Sequence, residues 1–188
     1  MRPQDYQEAK KLFLKYAGSH YHMWHDGELD KYKEYDVPRD TEIIWIVEYR
    51  NGLLDQLKVE TSNNKIDLLF RSITDLILQY SPKPELFLTL IEFIEKRKDR
   101  LDSFTLLLLA ENLLRHIEEY NKSSTSDSAL STRVKEYALG ILRELLEKPI
   151  TVDEEYRHME YMRAETLIEK NLKERIERKI AHSEKQLG

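Results

Sequence analysis

Apolar residues recur along most of the chain at spacings of three and four, which is the period of one face of an α-helix. The pattern predicts a first helix over residues 3–25, in which Gly18 permits a break and Gly27 provides a C-terminal stop. The apolar stripe of this helix consists of Tyr6, Ala9, Phe13, Tyr16, His20 and Trp24. The same periodicity continues through the rest of the chain.

Further helices follow from that periodicity. A second long helix is expected to begin at Asp40 or Thr41, either of which suits an N-cap, and to end near Val59. Four helices of similar length are expected over 66–80, 84–99, 103–120 and 132–148. A final helix is expected over 152–183, and at 1.5 Å per residue it would be roughly 45 Å long. The sequence therefore predicts an all-α fold.

The central helices follow one another at intervals near 20 residues, or about 40 residues for an antiparallel pair. The segment RVKEYALGILRELLEK, residues 133–148, resembles the second helix of a HEAT repeat, and the resemblance to HEAT and armadillo repeats extends over 40–148. It implies antiparallel helical hairpins stacked as a short α-solenoid, and an irregular helical bundle fits the same pattern. We expect one helical domain over 1–150, followed by a long, charged, amphipathic helix over 151–188.

Composition narrows the class of protein. The 188 residues include five glycines, five prolines and no cysteine, which argues against a sheet protein and excludes disulfides and thiolate ligands. The N-terminus has no apolar secretory core, and the longest apolar run, residues 104–110, falls far short of the roughly 20 residues that span a bilayer. A cytoplasmic location is expected. The net charge of −5 argues against general binding of a phosphate backbone.

The segment SHYHMWHDG, residues 19–27, contains three of the six histidines of the chain. His22 and His25 share one helix face and Asp26 lies four residues after His22, so two imidazoles and a carboxylate are offered to a metal ion. A second element would have to complete the site. Glu155 and His158, on the last predicted helix, form a Glu-x-x-His pair that could supply the missing ligands. This hypothesis describes a metal-dependent enzyme or sensor built on a cluster of His20, His22, His25 and Asp26.

A purely structural role for the same segment is favoured over metal binding. His20 falls on the apolar stripe, where a histidine satisfied by a hydrogen bond is common. His22 and His25 lie near the C-terminal end of the predicted helix, where the exposed carbonyl groups favour an imidazolium. On this interpretation no metal or other cofactor is bound.

Aromatic residues concentrate near the N-terminus. Six of the eleven tyrosines and both tryptophans occur within the first 49 residues. They are expected to cap the open end of the helical stack, each burying its ring while its polar group stays hydrated. Tyrosine and tryptophan are also enriched at interface hot spots, and the candidates for binding a protein are Tyr21, Trp24, Tyr32 and Tyr35.

The segment from Thr151 onward, which contains the last predicted helix, combines nine acidic and eight basic residues with a narrow apolar stripe. The stripe steps by four through Ile168, Leu172, Ile176 and Ile180. Such a stripe suits packing against a single partner helix, either from the same chain or from a second copy. Because the helix is long for a domain of this size, a homodimer through these four residues is the favoured alternative.

No recognisable catalytic motif is present: the sequence has no P-loop, no G-x-S-x-G and no G-x-G-x-x-G. The leading hypothesis is therefore a non-enzymatic helical module for protein–protein interaction, such as an adaptor, an inhibitor or an immunity-type protein that neutralises a toxin. The metal-dependent enzyme or sensor is the alternative. A nucleic-acid-associated helical repeat protein is a third interpretation, which the net charge opposes.

Overall fold

The computed structural model describes residues 3–79, 83–122, 127–159 and 162–185, and in those ranges it contains ten α-helices, two 3₁₀ helices and no strand. The α-helices are α1 (Pro3–Lys15), α2 (His20–His25), α3 (Leu29–Lys33), α4 (Arg39–Val59), α5 (Asn63–Ile77), α6 (Leu86–Arg97), α7 (Ser103–Asn121), α8 (Ser128–Glu147), α9 (Glu154–Arg157) and α10 (Glu169–Lys185). The all-α prediction is confirmed. Stacking as a regular HEAT-like solenoid stays a prediction.

Helix α7 lies at the centre of the molecule. It packs against α5 on one side and α8 on the other; α5 also packs against α4, and α8 also packs against α10. All seven residues from Phe104 to Ala110 are buried. An uninterrupted apolar run fits this position, because a helix that neighbours surround has no face left for water.

Side-chain caps set the starts of five of the ten described α-helices. Ser19, Ser62, Asp102, Asp127 and Asp153 each accept a hydrogen bond from a backbone N–H in the first turn of the helix that follows. Such caps satisfy donors that the helix itself leaves unpaired. Helix α4 is different, since it begins at Arg39 directly after Pro38 without a side-chain cap. The prediction that Asp40 or Thr41 caps this helix is wrong.

The single helix predicted over 3–25 is two helices. Ala17 and Gly18 have φ angles of +46° and +79°, a left-handed conformation that ends α1. Ser19 then caps α2 by accepting a hydrogen bond from the His22 N–H at 3.2 Å. Gly27, with φ of +73°, ends α2 as expected. The break leaves α2 as a short, separately oriented helix.

The long helix predicted over 152–183 is wrong. The chain instead forms α9, a 3₁₀ helix at Ala164–Leu167 and α10, while residues 160 and 161 lie outside the described ranges. The physical reason is that two anchors face different neighbours. Tyr156 in α9 is buried beside α5, where its hydroxyl donates to the backbone carbonyl of Asn63 at 3.0 Å. Leu172 in α10 is buried on the side of α7 and α8.

None of the helices in the described ranges is both long enough and apolar enough to cross a membrane.

Candidate functional site

A largely buried aromatic cluster joins α1, α3 and α4. Trp45 donates its indole N–H to the Tyr6 hydroxyl at 2.6 Å, and the two rings meet edge to face. Phe13 stacks on Tyr32, with the ring centroids 5.6 Å apart. This cluster ties α1, α3 and α4 together, and the capping of a helical stack by the N-terminal aromatic residues stays a prediction.

The buried carboxylate of Glu42 organises the polar side of that cluster. Glu42 is only 3% exposed, and its oxygen Oε1 accepts hydrogen bonds from the Tyr32 hydroxyl and from Nε2 of His20, both at 2.8 Å. Its other oxygen accepts from Nη1 of Arg39, also at 2.8 Å. Burial of a carboxylate is tolerated only when it is paired in this way. Glu42 therefore fixes the first residue of α2 against α4.

His20 thus has the hydrogen bond that the structural interpretation predicts, although its side chain is still partly exposed. The other two histidines of the segment do not share its environment. His22 points toward solvent beside Tyr21, and His25 pairs with the adjacent Asp26 at 3.2 Å. From the sequence, the C-terminal end of a long helix is expected to stabilise these two imidazoles. Helix α2, which carries them, has only six residues and is much shorter than the predicted helix.

Helix α2 presents an exposed aromatic pair, Tyr21 and Trp24. Their side chains are 65% and 63% exposed, and their ring centroids lie 6.0 Å apart, as expected for residues three apart on a helix. Between them in sequence, Met23 is fully buried and anchors the helix to the core. The pair does not cap the stack, because both rings face water.

The other two predicted binding residues, Tyr32 and Tyr35, contribute to the packing of the chain itself. Tyr32 is 4% exposed and is bonded to Glu42, so it belongs to the core and offers no surface to a partner. Tyr35 is half-buried, and its hydroxyl donates to Glu8 at 3.2 Å, which links the turn after α3 to α1. Of the four candidates, Tyr21 and Trp24 alone form an exposed surface.

A cleft of about 670 Å³ opens beside α2, in the size range of small-molecule pockets. Its walls come from the turn between α1 and α2, the start of α2, the start and middle of α4 and the second half of α5. They include His20, His22, Arg39, Tyr49, Ser72 and Asp75. His22 also lies against Tyr21, with ring centroids 5.5 Å apart. The exposed aromatic pair therefore stands at the rim of a polar cleft.

Asp75 is the carboxylate of this cleft, and a histidine from α7 holds it. Nε2 of the buried His116 donates to Oδ1 of Asp75 at 2.8 Å, while Nδ1 of His116 lies 2.9 Å from the Asn112 carbonyl oxygen. Partial burial alone would raise the pKa of Asp75, but the hydrogen bond and charge of His116 and the charge of Arg115 outweigh it and lower the pKa. The sequence gives no signal for this pair, since 41 residues separate its members.

The predicted metal ligands are not brought together. Glu155 on α9 accepts a hydrogen bond from the Ser62 hydroxyl at the start of α5, and His158 lies 3.6 Å from Glu154. Helix α2, by contrast, is held to α4 through Glu42. Within the ranges that the structure describes, no group of three or more histidine, aspartate or glutamate side chains is placed to hold a metal ion.

The four residues predicted to form a dimer interface differ in how far they are buried. Leu172 and Ile176 are fully buried against the rest of the chain, and Ile180 is half-buried. Ile168 alone of the four is largely exposed, at 52%. Helix α10 therefore packs on its own chain, the alternative to the favoured dimer, and Leu172 and Ile176 offer nothing to a second copy in this conformation.

Comparison of the chain with protein-family models, with curated proteins and with solved structures gives no significant match in any of the three.

Proposed function

We propose that this protein is a non-enzymatic helical module for protein–protein interaction, and that Tyr21 and Trp24 are the centre of its docking surface. The observation that carries the proposal is the exposure of two large aromatic side chains, in contact with one another, on one short helix. Single exposed apolar residues are ordinary, but tryptophan and tyrosine dominate the energetics of protein interfaces. A partner gains most by burying both rings together.

The rigidity of α2 adds to this argument. Ser19 caps its start, Met23 is fully buried beneath it, and Glu42 holds His20 at its first position. A docking element that is already ordered in the free protein loses less conformational freedom when it binds. The aromatic pair is therefore presented in a fixed geometry.

The chemistry of the surface favours a partner with an apolar pocket and a basic rim. The rings of the pair need an apolar pocket, and the indole N–H of Trp24 and hydroxyl of Tyr21 need hydrogen-bond acceptors or water at its edge. The net charge of −5 favours positively charged groups around that pocket. An adaptor, an inhibitor or an immunity-type protein would use such a surface.

Site-specific photo-crosslinking in the cells that make the protein tests the proposal. A photoreactive amino acid replaces Trp24 in one variant and Val59, which is 77% exposed at the end of α4, in the control variant. We expect the Trp24 variant to crosslink one discrete protein that the Val59 variant does not. Identical products from the two variants, or no product from the Trp24 variant, would contradict the proposal.

A further inference from the structure

A second surface stands out by its charge. A groove of about 330 Å³ lies between α5, α7 and α10, and we call it the basic groove. Its lining consists of Arg71, Leu108, Glu111, Asn112, Arg115, Arg175 and Lys179. Four cations from three helices thus line the groove with one carboxylate, and two of these cations also have partners outside the lining, since Arg71 is paired with Asp67 and Arg115 with Asp75. The lining is richer in cations than the chain as a whole, whose net charge is −5.

The one carboxylate of the basic groove is already neutralised. Glu111 is paired with Arg175, whose Nε donates to Oε1 at 2.8 Å and whose Nη2 donates to the other oxygen. This two-point pairing joins α10 to α7 and consumes both oxygens of Glu111. Glu111 therefore does not cancel the charge of the remaining cations.

The remaining cations are Arg71, Arg115 and Lys179, and several of their N–H donors make no hydrogen bond within the described part of the chain. Nη2 of Arg71 donates to the buried Asp67 at 2.9 Å. Nη2 of Arg115 donates to Asn112 at 3.0 Å and lies 3.5 Å from Oδ1 of Asp75. Among the described residues, Nε and Nη1 of Arg71 and Arg115 make no hydrogen bond, and Lys179 forms no ion pair. A guanidinium has five N–H donors, so several remain for a ligand.

We propose that the basic groove binds a small phosphorylated molecule. Guanidinium groups match the spacing of phosphate oxygens and bind them through paired hydrogen bonds. Donors that arrive from three helices suit a tetrahedral oxyanion better than a planar carboxylate, which presents only two oxygens. The volume is at the lower end for small-molecule sites and suits a metabolite rather than a polymer. This site lies on different helices from the aromatic pair and does not depend on it.

Calorimetric titration of the full chain with pyrophosphate, at constant ionic strength, tests this inference. Lys179→Gln and Arg115→Gln are the informative variants. Neither breaks the Arg71–Asp67 pair within α5 or the Arg175–Glu111 pair between α10 and α7, and Arg115→Gln removes only the long 3.5 Å pair with Asp75. Lys11→Gln removes the same charge from an exposed position on α1 and is the matched control. Titration of the unmodified chain with malonate, a small dicarboxylate, separates recognition of phosphate from attraction of any anion.

We expect saturable binding of pyrophosphate that weakens about tenfold or more in each groove variant and is unchanged in Lys11→Gln. Malonate is expected to bind at least tenfold more weakly than pyrophosphate. The inference is overturned if pyrophosphate does not bind, if the groove variants bind it like the unmodified chain, or if malonate binds equally well.

Discussion

At the scale of single residues, Glu42 explains why the N-terminal segment folds as it does. It is a buried carboxylate with donors from three different helices: His20 in α2, Tyr32 in α3, and Arg39 at the start of α4. The sequence shows an aromatic-rich segment with histidines but does not indicate which carboxylate they meet. Hydrogen bonding within the fold, rather than metal binding, accounts for His20.

Replacing Glu42 should therefore be costly. We expect Glu42→Gln to lower the free energy of unfolding by about 2–3 kcal/mol, because the buried Tyr32 hydroxyl and the guanidinium of Arg39 lose a charged acceptor. Urea unfolding monitored by circular dichroism measures the change. Glu48→Gln is the control: Glu48 is exposed and paired only with Lys10, so its loss should cost under about 1 kcal/mol. Equal effects of the two variants would contradict the role given to Glu42.

At the scale of elements, the sequence predicts which segments form helices better than it predicts where each helix begins and ends. The helices expected over 103–120 and 132–148 are α7 and α8, with ends that differ by at most four residues. The helix expected over 66–80 begins earlier, at Asn63, because Ser62 caps it; Tyr80, its predicted end, lies outside the described ranges. Apolar periodicity fixes which segments are helical, whereas local caps and left-handed residues fix where each helix starts and stops.

The two wrong long helices have a common cause. Periodicity continues across Ala17 and Gly18 and across residues 158–168, since the residues on both sides of each break are buried in the same core. A pattern of burial records only that a residue faces the core and not which neighbour it meets. Tyr156 and Leu172 are both buried, yet one packs beside α5 and the other on the side of α7 and α8. Tertiary contacts of this kind are invisible in the sequence.

The packing of α10 leads to a prediction for that element. We expect Leu172→Ala to lower the free energy of unfolding by about 2–4 kcal/mol, because it leaves a cavity in a fully buried position. Ile168→Ala, at a position 52% exposed, should cost less than about 1 kcal/mol. Chemical denaturation of both variants measures the difference.

Light scattering distinguishes the two alternatives for α10. If α10 packs on its own chain, the Leu172→Ala variant keeps the oligomeric state of the unmodified protein while losing stability. A dimer that dissociates into an equally stable monomer on Leu172→Ala would instead support the interface that the sequence favours.

At the scale of the whole molecule, two buried or half-buried carboxylates give the stability opposite dependences on pH. Burial raises the pKa of Asp67 above its usual 3.8, despite the pairing with Arg71. The pKa of Asp75 is lowered, since the hydrogen bond and charge of His116 and the charge of Arg115 outweigh the effect of burial. Ionisation of Asp67 therefore destabilises the folded state, whereas ionisation of Asp75 stabilises it.

The folded state binds the Asp67 proton more tightly than the unfolded state does, so this contribution to stability is lost as pH rises above about 3.8 through the raised pKa. Asp67→Asn should stabilise the protein at neutral pH, with a gain that shrinks as the pH falls to about 3.8. Asp75 contributes stability above its unfolded pKa, and that contribution disappears as pH falls through its lowered pKa. Asp75→Asn should therefore destabilise at neutral pH. Unfolding free energies measured across this range would contradict the account if both variants shifted in the same direction.

The division of the N-terminal aromatic residues into a buried cluster and an exposed pair is the central claim, and the sequence predicts it only in part. It marks the segment as rich in tyrosine and tryptophan, but Tyr32 and Trp24 look alike in it. The distinction arises because Gly18 and Gly27 isolate α2 as a short helix that buries Met23 and turns its other faces outward.

The most direct test measures affinity and stability together for Trp24→Ala, with the partner identified by crosslinking. We predict that the affinity falls at least tenfold while the free energy of unfolding stays within about 0.5 kcal/mol of the unmodified protein, because the ring contributes to an interface and not to the core. Val59→Ala, at another exposed position, should change neither quantity. An unchanged affinity for Trp24→Ala, or a loss of several kcal/mol in stability, would contradict the account.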